Sequence, residues 1–362
     1  MNGLSDRPLP RILILELWGL GDLSFLTLFL KQVRGEFRVT LVGKAHAAAL
    51  LRESFPEVEF LEFDAPWTKF RGKYELAKWP WPKLGRLVQA LRSRRFDAAV
   101  SVRPDPRDHF LMWLTGARQR FGFAGPGSRP FLTNALHRPS IRQHKVEDWR
   151  LLTTAITGRD ASLLNPWLDP NAAVSTSVQT ELKSLSRPLI TVHTGAQMKV
   201  RRWPEVFFRD ILKRIRNEFD VYIALVPDPD GYGAGLADLA DRTFSSLNFP
   251  ELLTLLRCSS VLLCNDSGPG HLAAALGCPT IALFGPGSAD WFRPWGPQHH
   301  VVIRDICPWR PCFDYCRFPE PICLTRLEPE VVWPEIRTQL CRRLIPISQC
   351  DDPSCSGERT QP

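Results

Sequence analysis

The stretch 259–285 constrains the fold more than any other part of the chain. It opens as an apolar run long enough for one buried parallel strand. A turn of small and polar residues follows. Residues 272–276 read as a helix, which Gly277 and Pro279 bring to an end. A second buried strand, 280–284, comes at once. Strand, loop, helix and strand form a βαβ unit, and ligands of such units lie beyond the C-terminal ends of the strands. Asp266, Ser267, Gly268 and His271 fall there, at a helix N-terminus. Backbone N–H groups and the helix dipole favour an anion at that position. The alternative is a capped helix whose histidine is held by structural bonds.

The same alternation runs through most of the 362 residues. Strands are expected at 11–17, 38–42, 58–63 and 96–102, with helices at 23–33 and 47–55. The rhythm fails over 159–187, where Pro166, Pro170 and small polar residues collect. It restarts with a strand at 188–193, a helix at 203–218 opened by Pro204, and a strand at 221–226. A last helix is expected at 329–344. The pattern predicts an α/β chain of two doubly wound domains, 1–165 and 166–345. The remainder, 346–362, is polar and proline-containing and is expected to be a disordered tail.

An apolar share of 44% and a charged share of 23% suit a soluble globular chain. The formal net charge of +8 admits nucleic acid, an anionic membrane surface or phosphorylated ligands, without choosing among them. Residues 1–10 lack the basic and apolar regions of a secretory signal. The apolar stretch 12–30 is broken by Glu16, Asp22 and a glycine pair, at a cost a membrane span tolerates poorly. The expectation is a cytoplasmic chain whose ten cysteines stay reduced.

Two further loops could carry chemistry. Gly19-Leu20-Gly21-Asp22-Leu23-Ser24 follows the first strand. Ser24 stands where a dinucleotide fingerprint has its third glycine, and the next strand ends without an acid, so NAD binding is disfavoured. By motif alone, Asp22 reads first as a helix N-cap. The loop 194–204 joins a buried strand to a helix. Thr194, Gly195 and Ala196 offer backbone N–H groups, and Lys199, Arg201 and Arg202 put positive charge beside them. Such a loop suits a diphosphate, because arginine binds phosphate oxygens bidentately; the alternative is a solvated basic loop. Two such loops, on neighbouring strands of one domain, favour the phosphate reading.

Together these residues resemble glycosyltransferase family 9, the family of ADP-heptose:lipopolysaccharide heptosyltransferases. The likeness runs from about residue 11 to about 337. Gly21-Asp22 is similar to the family's first motif, and Gly195-Ala196, Arg201 and Trp203-Pro204 to its second. The most specific is Asp266-Ser267-Gly268-Pro269-Gly270-His271-Leu272-Ala273-Ala274, followed by Phe284-Gly285-Pro286. His144 falls near a family histidine late in the first domain. The resemblance implies the GT-B fold, two Rossmann-like domains facing across a cleft. It implies inverting transfer of a sugar, a heptose in the family, from a nucleotide-diphosphate donor such as ADP-heptose, without a metal or other cofactor. It makes Asp22 the base, a role compatible with a helix cap. The acceptor it implies is a glycan or lipopolysaccharide-type glycolipid, not nucleic acid. A nucleotide-sugar epimerase of the same fold and a non-catalytic glycan-binding protein are the rival readings.

The segment 67–95 sets Lys69, Arg71, Lys73, Lys78, Lys83, Arg86, Arg92, Arg94 and Arg95 against the single acid Glu75, with tryptophans interleaved. Trp79-Pro80-Trp81-Pro82 reads as a loop from which both indoles project. Lys78, Trp79, Trp81, Lys83 and Arg86 then form an acceptor or membrane surface on the inner membrane face. The competing reading is an amphipathic helix over 84–91 with solvated cations and core tryptophans. Cys307, Cys312, Cys316 and Cys323 cluster in sequence, but their spacing is irregular for a zinc site, and no metal is assigned.

Overall fold

Strands that are apolar on both faces can pair only inside a sheet covered by helices on each side. The computed structural model of the chain builds two such sheets, one in each of two compact units, Met1–Leu168 and Asp169–Pro362. The structure describes residues 8–344 apart from 70, 71, 141, 173, 174, 184 and 314. The tail expected over 346–362, and Phe70 and Arg71 of the basic segment, lie outside the described residues.

The first sheet contains β1 (Arg11–Glu16), β2 (Arg38–Gly43), β3 (Glu59–Glu62), β4 (Ala98–Ser101), β5 (Gln119–Phe123) and β6 (Asn134–Leu136). All pairs are parallel, in the order β3-β2-β1-β4-β5-β6. The second contains β7 (Leu189–His193), β8 (Tyr222–Val226), β9 (Arg242–Thr243), β10 (Val261–Asn265), β11 (Thr280–Phe284) and β12 (His300–Ile303). It is also all parallel, ordered β12-β11-β10-β7-β8-β9. Each unit therefore repeats the doubly wound Rossmann order. The strands that no apolar run announced are β5, β6, β9 and β12, which are short or carry polar residues.

The apolar stretch 12–30 resolves into β1 and the helix Leu20–Val33. That helix is buried almost all round because it also packs on the helix Lys145–Thr157, with Phe29 and Trp149 rings 5.6 Å apart. An apolar run of this kind thus marks a central helix of a globular unit. Among the described residues no helix is long and apolar enough to cross a membrane. The helix begins earlier than expected, with Gly19 as N-cap, so Asp22 is its third residue rather than its cap.

The structure also corrects the reading of the tryptophan-proline run. Pro80 is the N-cap and Trp81 the first residue of the helix Trp81–Arg92, since proline without an N–H is well placed in a first turn. Leu84, Leu87, Val88 and Leu91 turn to the core of the first unit, in helical register. Trp79 does not project. It is half-buried in a row of indoles, 5.4 Å from Trp67 and 5.4 Å from Trp81.

Candidate functional site

Loops diverge where the strand order of an open sheet reverses, and ligands collect in the crevice that opens there. The reversal lies between β1 and β4 in the first unit and between β7 and β10 in the second. The loops 19–24, 194–204 and 266–271 each follow one of those strands.

In the first unit, Asp22 lies one turn into its helix. Its Oδ2 accepts the Gly19 N–H at 3.3 Å, which satisfies one orphan amide of the helix N-terminus. Its Oδ1 is ion-paired with Arg103 Nη2. Arg103 enters from the loop after β4, its guanidinium 4.8 Å over the Trp18 ring. Two more carboxyl groups are buried close by. Glu16 ends β1, and burial, followed by the Asp22 charge, pushes its carboxyl well above the usual carboxylate range. Asp108, on the helix Pro106–Leu114, accepts from Trp67 Nε1 at 2.7 Å and Ser101 Oγ at 3.3 Å. Burial and the neighbouring Asp105 raise it to about 7. His144 is the N-cap of the helix Lys145–Thr157, its Nδ1 accepting the Val146 N–H at 3.1 Å.

Sequence reasoning passed over Glu16, Arg103 and Asp108. The signal was present in Arg103-Pro104-Asp105-Pro106-Arg107-Asp108, a charged, proline-broken loop directly after a buried strand.

In the second unit, the loops after β7 and β10 are tied together by Asn265. Its Oδ1 accepts the Trp203 N–H at 3.0 Å, and its Nδ2 donates to the Thr194 carbonyl at 2.7 Å. Thr194, Gly195 and Ala196 are buried in this tie; against the sequence expectation, Thr194 offers no free N–H, because its amide donates to the Val226 carbonyl of β8 at 3.2 Å. A side chain at Gly195 would meet Asp228, its Cβ lying 2.5 Å from Oδ2. Ser267 is the N-cap of the helix Gly268–Ala275 in extended conformation, and its Oγ is buried without a hydrogen-bond partner. Asp266 and His271 are both buried beside it.

The three cations of the β7 loop stand in different environments. Lys199 is exposed, at the start of the 3-10 turn Lys199–Arg201. Arg201 is 27% exposed and stands 3.7 Å from Asp266. Arg202 is only 8% exposed. It pairs with Asp228 at 3.2 Å and Asp230 at 2.7 Å, donates to the Ala196 carbonyl at 3.1 Å, and lies 5.1 Å over the Tyr232 ring. Its charge is taken up by the two acids of the loop after β8.

Lys78, Trp81, Lys83 and Arg86 are exposed on one side of the first unit, with Lys78 also paired to Glu75 at 2.5 Å. Tyr74 and Leu76 are exposed beside them. Of the sequence cluster of cysteines, Cys307 and Cys323 are buried and Cys312 and Cys316 half-buried, all as free thiols. Among the described residues, no group of three or more His, Cys, Asp or Glu is arranged to hold a metal ion.

Comparison with known proteins agrees with this architecture. Lipopolysaccharide heptosyltransferase 2 of Escherichia coli (strain K12) is 25% identical over 243 residues, 60% of this chain and 68% of that protein. A glycosyl transferase family 9 structure from Veillonella parvula DSM 2008 superposes with a TM-score of 0.73 at 18% identity, over 93% of this chain and 99% of that one. E. coli heptosyltransferase WaaC with ADP-2-deoxy-2-fluoro heptose gives 0.66 at 18% identity, over 90% and 99%. The two-unit α/β architecture is that of the GT-B heptosyltransferases. The model of glycosyltransferase family 9 (heptosyltransferase) matches residues 84–321, which takes in the β4 loop and both loops of the second unit. With more than half of its length matched, the chain belongs to glycosyltransferase family 9, the heptosyltransferases, and is a glycosyltransferase.

Proposed function

We propose that the chain moves a heptose from ADP-heptose to a lipopolysaccharide-type glycan acceptor, with inversion at the anomeric carbon and without a metal ion. The observation that carries this reading is the pair of loops at the β7/β10 switch point, tied by Asn265. They bring small residues, a helix N-terminus and two cations to one place. That combination suits the two phosphates of a nucleotide-sugar donor. The WaaC structure, with its bound ADP-heptose analogue, supports ADP as the nucleotide.

The donor's anomeric carbon gains oxocarbenium character as the diphosphate leaves. Lys199, Arg201 and the N-terminus of the helix Gly268–Ala275 stabilise the growing charge on the departing oxygens. Ser267 Oγ, which lacks a partner among the described residues, donates to the same group. Asp266 and His271 order the loop. Arg202 shapes it through Asp228 and Asp230 instead of meeting phosphate. Asp22 takes the proton from the attacking acceptor hydroxyl.

Two measurements test this. Calorimetric titration should show tighter binding of ADP than of UDP, GDP or CDP. ADP release from ADP-heptose should require a heptose-deficient lipopolysaccharide acceptor and persist in EDTA. Release that ignores the acceptor would instead favour the epimerase reading, and loss of transfer in EDTA would remove metal independence.

The exposed Lys78, Trp81, Lys83 and Arg86 serve as the acceptor or membrane face, since basic residues gain roughly 1 kcal/mol each at an anionic surface. Binding to anionic vesicles should therefore weaken with salt and on replacing Lys78, Lys83 and Arg86 by glutamate. Binding unchanged by those replacements would leave the helix a structural element.

A further inference from the structure

One guanidinium at the first switch point faces three carboxyl groups, Asp22, Glu16 and Asp108. Only Asp22 is bonded to it. Glu16 is 1% exposed, and its two oxygens differ in environment. Oε1 accepts the Trp18 N–H at 3.3 Å, whereas Oε2 is buried with no hydrogen-bond partner. Arg103 Nε is likewise buried without an acceptor. The guanidinium has thus committed its Nη2 to Asp22 and made no bond to Glu16.

A buried carboxylate oxygen with no donor is costly as an anion, and protonation removes most of that cost. The neutral acid also leaves the whole Arg103 charge to Asp22. An ionised Glu16 would compete for the guanidinium and repel Asp22. The carboxyl of Asp22 is held on two sides, by Arg103 at Oδ1 and by the Gly19 amide at Oδ2. Its aim is therefore set by the β4 loop as much as by its own helix.

We propose that Arg103 is the positioning residue of Asp22, and that Glu16, kept as the neutral acid beneath the pair, holds Arg103 to that task. This rests on the reading of Asp22 as the base. The groups that face Glu16 are Asp22 from the helix Leu20–Val33, Arg103 from the loop after β4, and Asp108 from the helix Pro106–Leu114. Lys145, at the start of the helix Lys145–Thr157, adds its charge near Arg103. Burial and the Asp22 charge raise the Glu16 carboxyl, and Arg103 offsets this in part. The neutral form is present below its raised pKa. Activity is accordingly retained at lower pH and lost as pH rises through that value.

The test is the pH profile of heptose transfer by the full chain and its Arg103→Met, Arg103→Lys, Glu16→Gln and Asp22→Asn variants. Arg103→Met should lower kcat by about 10²-fold with a much smaller change in the KM of either substrate, the scale expected when a reacting group loses its aim. Arg103→Lys should recover part of the loss, because lysine supplies the charge without the planar fork. Glu16→Gln fixes the neutral state at nearly the same shape, and should move the alkaline limb of kcat/KM upward by about one pH unit or more, the usual scale for one charged neighbour. An Arg103→Met enzyme with wild-type kcat, or a Glu16→Gln profile that superimposes on wild type, would overturn the proposal. Wild-type turnover by Asp22→Asn is a separate result, which would remove the base itself. Equal melting temperatures of Glu16→Gln and wild type keep the profile interpretable should Arg103→Met fold poorly.

Discussion

The two sheets share one strand order, yet their switch points are built from opposite materials. At β1/β4 the site is made of side chains. Glu16, Asp22, Arg103 and Asp108 are packed against the indoles of Trp18 and Trp67. At β7/β10 it is made of backbone. Gly195 and Ala196 present main chain, and the polar side chain that organises the loop, Asn265, bonds only to backbone groups. A buried guanidinium–carboxylate cluster fixes where one proton acceptor points. A rim of amides and cations can hold an anion of several oxygens. The same topology thus hosts two chemistries, and the difference predicts which changes each end tolerates: the first should be sensitive to isosteric exchange of a side chain, the second to any added Cβ.

Asp22→Asn is the largest test of that division. It keeps the shape and the bond from the Gly19 amide but removes the basic oxygen. Turnover should fall by roughly 10²–10⁴-fold, the usual cost of losing a general base. ADP affinity measured by calorimetry should stay at the wild-type value. A variant that transfers at the wild-type rate would make Asp22 a helix-terminal residue only.

Gly195→Ala makes the complementary cut. The new Cβ would lie 2.5 Å from Asp228 Oδ2, in a loop that Arg202 holds closed from the other side. Overpacking of this kind costs about 1–3 kcal/mol. The variant should lose ADP affinity and some thermal stability, with the pH profile of residual transfer unchanged. A change in the pH profile would show that the two switch points are not chemically separate.

The cations of the β7 loop sharpen the comparison at a smaller scale. Arg201→Ala should weaken ADP binding by about 10- to 100-fold while adenosine binding holds, since a charged hydrogen bond is worth about 1.5–3 kcal/mol and only the diphosphate uses it. Arg202→Ala should act differently. Its guanidinium joins Asp228, Asp230 and the Ala196 carbonyl, so its removal should lower the melting temperature and weaken ADP and adenosine alike. If the two variants behave identically, the distinction between a ligand-facing and a loop-holding arginine fails.

The legibility of this arrangement in the sequence follows the same line. Central strands could be read from their apolar runs, because burial on both faces leaves no alternation to hide them. Edge strands such as β9 and β6 could not, since two or three residues carry no period. The β10 loop was legible because glycine, proline and small residues must be there for main chain to come close. The roles of Lys199, Arg201 and Arg202 were not, since three adjacent cations look alike until their acid partners are placed. Arg103 was missed for a related reason. Its meaning lies in Asp22, 81 residues away in sequence, and in a register between β1 and β4 that no local pattern encodes.

The smallest effect isolates one carboxyl of the first switch point. Asp108 is fully buried and raised to about 7, mainly by burial and next by Asp105, against the pull of its Trp67 and Ser101 donors. Its unfolded value is about 3.9. Between those values the folded chain binds the proton more tightly than the unfolded chain, so the stability this group contributes decreases with rising pH. That contribution is complete below about pH 4 and lost above about pH 7. Asp108→Asn stays neutral throughout and keeps an oxygen for Trp67 Nε1. The melting temperature of the variant minus that of wild type should therefore rise by a few degrees between pH 5 and pH 8, on the scale of roughly 2–4 °C per kcal/mol for a domain of this size. The Asp108 charge helps to raise Glu16, so in the same variant the alkaline limb of transfer should move downward slightly. A melting difference that stays flat with pH would mean that Asp108 remains ionised in its pocket, with the indole N–H and the serine hydroxyl outweighing burial. The side-chain cluster would then hold its charge by hydrogen bonding, as the β7/β10 loops hold theirs.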